Sequence, residues 1–174
     1  MSNIQVEKLL SKMPDIVSWV ESTLAAHVAE TRPVASFGFR RLPDFYTLQF
    51  LAATRVVVVE TVPVPPLSAL GLPELAAFEQ GDYGGITFKD TYFVKASEAF
   101  RESLHFHELV HVVQWAHLGV ERFLTAYAAG LATQGYRNSP LEVMAYDLES
   151  DFKANGKPGD VTAVVRRQLN ELYP

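Results

Sequence analysis

The 174-residue chain contains no cysteine. Disulfide frameworks, thiolate zinc sites and cysteine nucleophiles are thereby excluded. Any metal must be held by histidine, carboxylate or water. Clustered positive charge is also missing. Fifteen Lys and Arg stand against twenty Asp and Glu, for a net charge of -5, and the nearest thing to a basic stripe, Arg166-Arg167, sits on a predicted terminal helix where a solvated role is expected. A mildly acidic chain has no general attraction for phosphate backbones, so no nucleic-acid partner is expected. Long apolar runs are absent too. The most apolar stretch, Leu48 to Pro66, is interrupted by Arg55, Glu60 and three prolines, too broken to span a bilayer. Residues 1–10 lack a basic region followed by an apolar run, so no signal peptide is read there. The expectation is a soluble, cytoplasmic protein without a membrane partner. Oligomeric state leaves no signal in the sequence.

What remains has the composition of a folded domain: 48% hydrophobic and 20% charged residues, enough apolar side chain to close one core. We expect one domain over 1–174, with an N-terminal helical segment (1–32), a strand-rich part (47–95) and a helical part (97–172). Apolar positions Ile16, Val17, Val20, Leu24 and Val28 recur at helical spacing, with Pro14 placed near the first turn of a helix reaching about Ala29 and Thr31-Arg32-Pro33 closing the segment. Arg55 to Val62, with four consecutive valines, reads as a strand buried on both faces. Pro63, Pro65, Pro66 and Pro73 predict a loop, followed by a short helix at Glu74–Phe78. Ile86 to Lys95 is either two short strands turning at Lys89-Asp90 or one longer strand. Ser97 is the expected N-cap of a helix to Leu118, stopped by Gly119. Further helices are expected over Val120–Ala132, from Ser139 to Lys153, and over Val161–Leu172. Strands early and helices late predict an α+β fold.

One pattern carries chemistry. Residues 107–111 read His-Glu-Leu-Val-His in the middle of the predicted helix. Positions i and i+4 emerge on nearly one face, so His107 and His111 can give one nitrogen each to one cation. Glu108 lies beside the pair, too displaced to share that shell but placed to take a proton from a water on the metal. Leu109, Val110, Val112 and Val113 give the helix dry flanks. Two nitrogens plus carboxylate oxygen suit zinc. The third ligand is sought at Glu142, with Glu149, two turns on, as the second choice. Glu142 has a rival role, closing a capping box with Ser139. Asp147 points about 140° away from Glu142 and is a candidate to orient a ligand histidine instead. Trp115 either walls the metal pocket or packs in the core. His27, His105 and His117 do not share the metal face and are read as ordinary side chains.

His107-Glu108-Leu-Val-His111, followed by Asn138-Ser-Pro-Leu-Glu142-Val-Met-Ala-Tyr146, resembles the gluzincin branch of zinc metallopeptidases and, more narrowly, the small single-domain minigluzincins. The resemblance covers roughly 84–150. It implies a zincin-like fold, His107, His111 and Glu142 as zinc ligands, Glu108 as general base and acid, and a peptide or protein substrate cleaved with a zinc-activated water. It also implies that the strand at 85–94 is the edge on which an extended peptide lies; an ordinary hairpin is the competing reading. The chain departs from larger relatives at Tyr146, where they carry an acidic residue, and in having no histidine after Glu142 to serve an oxyanion. Tyr136 is the candidate oxyanion donor, with Arg137 and Tyr146 behind it. Two alternatives stay open: a zinc-binding module with little peptidase activity, and a regulatory domain whose first thirty residues plug its own site.

Overall fold

The computed structural model describes the backbone of residues 3–174 and the side chains from Glu7 onward. Expectations that touch residues 1 and 2 lie outside the described residues. The fold is mixed α+β: a four-stranded sheet with helices that dominate the C-terminal half. Its helices are α1 (Asn3–Ala26), α2 (Leu48–Ala53), α3 (Ala76–Glu79), α4 (Glu102–Gln134), α5 (Pro140–Lys153) and α6 (Val161–Leu172). Its strands are β1 (Arg32–Pro33), β2 (Arg55–Val59), β3 (Gly85–Phe88) and β4 (Thr91–Lys95).

The sheet runs in the order β1-β2-β4-β3. β2 and β4 pair in parallel, from Arg55 opposite Thr91 to Val59 opposite Lys95, whereas β1–β2 and β3–β4 are antiparallel. Lys89-Asp90 is the tight turn between β3 and β4, with Lys89 in the left-handed region at φ 59°. The central pair is the most deeply buried part of the sheet: Val56, Val57, Tyr92, Phe93 and Val94 are wholly inaccessible. Truncating one such aromatic, Phe93→Ala, costs about 3–5 kcal/mol. β3 is left at the edge, paired only with β4 among the described residues.

Helix α4 crosses this sheet and carries the chemical motif. Every residue from Leu104 to Trp115 is buried, including the polar His105, His107, Glu108, His111 and Gln114. Gly119, at φ 73° and ψ 171°, breaks the helical geometry and splits α4 into two arms; a left-handed φ favours glycine. α5 returns against α4, and α6 closes the core with Val161, Val165 and Leu169 on one face while Arg166 and Arg167 stay in solvent.

Several expected boundaries move. Pro14 is inside α1, not in its first turn. Ser97 falls in a short 3-10 turn (Ala96–Glu98), and α4 starts at Glu102 after Arg101, with no side-chain cap. The part expected to be strand-rich opens with α2, which begins where Thr47 accepts the Phe50 N–H at 3.1 Å. Val58 is 36% exposed, so β2 is not buried on both faces along its length. Arg32-Pro33 forms a strand because its neighbour β2 offers an edge, which local sequence does not announce. Among the described residues no helix is long and apolar enough to cross a membrane.

Candidate metal centre

His107 and His111 lie one turn apart on the buried arm of α4, and their Nε2 atoms meet at 3.1 Å. Glu142, in the first turn of α5, faces both: its Oε2 is 3.5 Å from His107 Nε2 and its Oε1 is 3.3 Å from His111 Nε2. The three residues form a group able to hold a metal ion. Four ligands at about 2.0–2.1 Å from one cation stand roughly 3.3–3.4 Å from each other, close to the three separations here. Two lone pairs facing each other at 3.1 Å need a proton or a cation between them, and Glu142 Oε2 is a buried carboxylate oxygen without a hydrogen-bond partner. The donor set therefore fits a divalent cation.

The surrounding residues fix the orientation of each ligand. Gln114 donates through Nε2 to the Leu141 carbonyl at 3.0 Å, so its Oε1 is the acceptor for His111 Nδ1–H at 2.8 Å. With hydrogen on Nδ1, the His111 Nε2 lone pair points at the centre. His107 Nδ1 faces Glu149 Oε2 at 3.4 Å. Tyr127, on the second arm of α4, donates its hydroxyl to Glu142 Oε1 at 2.6 Å. Partners of this kind hold ring orientation and tautomer.

Glu142 does not close a capping box. Its carboxylate turns inward to the histidines, Ser139 makes no side-chain cap, and Ser139 Oγ is buried without a partner. Glu149, the second choice for the third ligand, lies on the Nδ1 side of His107, opposite the nitrogen that faces the centre. Asp147, considered for the orienting role, is exposed. Glu149 stands in the place proposed for it, and the Tyr146 ring lies 4.6 Å from that of His107, tilted at 55°, with the Arg137 guanidinium 4.7 Å from the Tyr146 ring centre.

Glu108 leaves the metal group and points to β3. Thr87 donates its hydroxyl to Glu108 Oε2 at 2.7 Å. A Cβ on Gly85 would stand 2.5 Å from Glu108 Oε1, so the close approach needs glycine. Charges in this small volume shift one another. Burial disfavours a charged His107, yet hydrogen bonding to Glu142 and Glu149 raises it to about 10. Burial also works against Glu142 ionising, but His111 and His107 hold it well below the usual carboxylate range. Burial raises Glu108, partly offset by the two histidines and Thr87.

Beside the centre is a cavity of about 80 Å³. Glu108, His111 and Glu142 form its polar end, and Tyr136 and Trp115 also line it. The Tyr136 ring packs 4.9 Å from Tyr83, and burial followed by the Glu142 charge raises the Tyr136 hydroxyl far above the usual phenol range. Trp115 is at once core and wall: it is buried, and its Nε1–H donates to the Thr87 carbonyl at 3.1 Å. The remaining histidines are elsewhere. His105 bonds Tyr92, His27 bonds the Thr23 carbonyl, and His117 bonds Asn170.

Sequence reasoning missed Tyr127, Gln114 and Thr87. Gln114, three residues after His111, shares its helix face and had a positional signal. Tyr127 and Thr87 reach the site only through the Gly119 bend and the β3–α4 packing, which leave no mark at short range. Compared against family models, curated proteins and solved structures, the chain matches none of them.

Proposed function

We propose that the chain is a metal-dependent hydrolase. More narrowly, we read it as a zinc metallopeptidase of zincin-like fold and gluzincin type, with His107, His111 and Glu142 holding zinc. The observation that carries the reading is the trio of inter-ligand distances, 3.1, 3.3 and 3.5 Å, beside a buried carboxylate oxygen, Glu142 Oε2, that has no hydrogen-bond partner. Two imidazoles and a carboxylate leave a fourth position for solvent. Zinc bound there supplies a Lewis acid that polarises a scissile carbonyl and makes water a nucleophile at neutral pH.

The chain's own residues supply the proton traffic and the orientation. Glu108 takes a proton from the attacking water at Oε1, the oxygen that Thr87 leaves free, and returns it to the departing amine. Burial raises Glu108 above an ordinary carboxylate, which makes it the stronger base toward the water proton. Gln114 and Glu149 keep the imidazole Nδ1 atoms facing outward from the centre. The Tyr136 hydroxyl, kept protonated by burial, is the donor available to a developing oxyanion.

Zinc-loaded protein set against a mixed peptide library is the direct experiment: cleavage that a chelator abolishes and zinc restores supports the reading. The near-complete burial of the ligands, His107 4%, His111 5% and Glu142 1% exposed, is the observation favouring a zinc-holding module without turnover. Stoichiometric zinc with no cleavage under any condition selects that second reading.

A further inference from the structure

The residues above the metal centre form a unit of their own. A small apolar cluster joins Leu9 and Ile16 of α1 to Leu67, Leu72, Leu75 and Phe78, separate from the main core. It rests against Ile86 of the edge strand, against Leu131 on the far arm of α4 and against Tyr136 in the connection to α5. The rest of α1 belongs to the other body: Val20 is in the main core, Trp19 packs edge-on to Phe88 at 5.6 Å, and Glu21 pairs with Lys89. Leu9 lies before Pro14; Ile16, two residues beyond it, still packs on the small cluster, and from Trp19 on the helix faces the main core. A proline inside a helix removes one backbone hydrogen bond and its ring crowds the preceding turn, which makes a bend point. At the other side, Val62 is in the main core and is followed at once by Pro63, Pro65 and Pro66.

Between this unit and the site, Phe78 meets the Tyr127 and Tyr136 rings at 5.9 and 6.0 Å, and a void remains beside them. This is the 80 Å³ cavity, lined by Leu9, Leu75 and Phe78 on one side and Glu108, His111 and Glu142 on the other. Atoms facing a void forgo dispersion partners. The polar tie within the unit, Lys8 to Glu74 at 3.0 Å, is 41% and 33% exposed, and pairs so placed contribute little. The edge beneath is not open as it stands. In the β3–β4 register, Gly85 and Thr87 turn their backbone groups away from β4; Trp115 of α4, outside the cover, holds the Thr87 carbonyl, and Ile86, between Gly85 and Thr87, lies under the small cluster.

We infer that the first half of α1 and the strap 63–82 form a two-leaf cover, one leaf bending at Pro14 and the other at Pro63–Pro66, that shuts the metal centre, and that the leaves must part at the Lys8–Glu74 pair before an extended peptide can reach β3. The cover stands on packing alone. Its consequence for catalysis rests on the peptidase reading above.

The test uses the full chain, whose lack of cysteine lets a Lys8→Cys/Glu74→Cys pair be bridged by a reducible bismaleimide without side products. Hydrogen exchange is followed by mass spectrometry. Amides of 63–82 and of α1 before Pro14 should exchange at least about 100-fold faster than those of β2 and β4, by local opening. Bridging should slow the cover at least about tenfold and leave the core unchanged, and cleaving the bridge should restore the rate. Leu75→Asp should speed it; should that variant fold poorly, Lys8→Glu should speed it roughly twofold to fivefold by breaking the surface pair. Cover and core exchanging together, or no response to the bridge, overturns the inference. Peptide hydrolysis is measured on the same samples. Equal hydrolysis bridged and cleaved also overturns it. Exchange that responds while no state cleaves any peptide leaves the cover standing and refutes the peptidase reading.

Discussion

Tyr127 donates its hydroxyl to Glu142 Oε1 at 2.6 Å, joining the second arm of α4 to the first turn of α5 directly over the histidine pair. The bond commits one lone pair of one carboxylate oxygen and leaves Oε2 without a protein donor. Tyr127→Phe keeps the ring packing and deletes only the hydroxyl. We expect it to weaken zinc binding by about 10- to 100-fold, the usual range for losing an orienting partner. Competition with a fluorescent chelator measures this; unchanged affinity would show that the hydroxyl does not position Glu142.

Glu108 and Gly85 give a paired prediction. Glu108→Gln retains the ligand set and should bind zinc as the parent does, while turnover of any cleaved peptide falls by about 10²–10⁴. Gly85→Ala puts a methyl 2.5 Å from Glu108 Oε1. That variant should also hold zinc and lose turnover, because the carboxylate is displaced and not removed. Parent-like turnover in Glu108→Gln would disprove its role as base.

Zinc uptake should release protons. With no cation present, the His107 imidazole is held protonated up to about 10, the Glu142 and Glu149 carboxylates outweighing burial. Zinc needs the neutral ring, so at pH 7 its binding expels about one proton. Affinity therefore rises with pH through the neutral range and levels off near 10. Calorimetry in buffers of different ionisation enthalpy reads the proton count; a value of zero contradicts the assignment of His107.

His105 should make the fold sensitive to acid. Burial, partly countered by its bond to the Ala99 carbonyl, lowers it to about 4 from the ordinary 6.5. That carbonyl only accepts, so Nε2 carries the hydrogen at 3.0 Å and Nδ1 accepts from the Tyr92 hydroxyl at 2.6 Å. Protonation converts Nδ1 to a second donor. The unfolded chain takes up this proton first, so the contribution is full above 6.5 and is lost as pH falls through about 4. Urea midpoints from pH 7 to 4 should fall more steeply in the parent than in His105→Gln.

The sequence carried the centre of the site and much of the fold, for reasons that are local. His107 and His111 are one turn apart on one helix, so spacing alone sets their geometry, and the apolar neighbours announced burial. α5 and α6 were legible from Ser139-Pro140 and from Val161, Val165 and Leu169. The α+β class followed from four valines early and helical periodicity late. What escaped depends on distant packing. Glu142 reads equally well as a capping residue until α4 is laid against α5. Glu149 took the orienting position that helical angles alone suggested for Asp147. Pro14 sits inside α1 because the helix extends further toward the N-terminus than its placement in a first turn implied. β1 exists only because β2 lends it an edge.

The central claim is that His107, His111 and Glu142 grip one cation with room left for solvent. Crystals grown with zinc and measured on both sides of the zinc absorption edge test it most directly. The account predicts one strong anomalous peak bonded to His107 Nε2, His111 Nε2 and a Glu142 oxygen, with a fourth position open to water. No peak among these residues while zinc binds elsewhere, or a fourth protein ligand filling the open position, would contradict it.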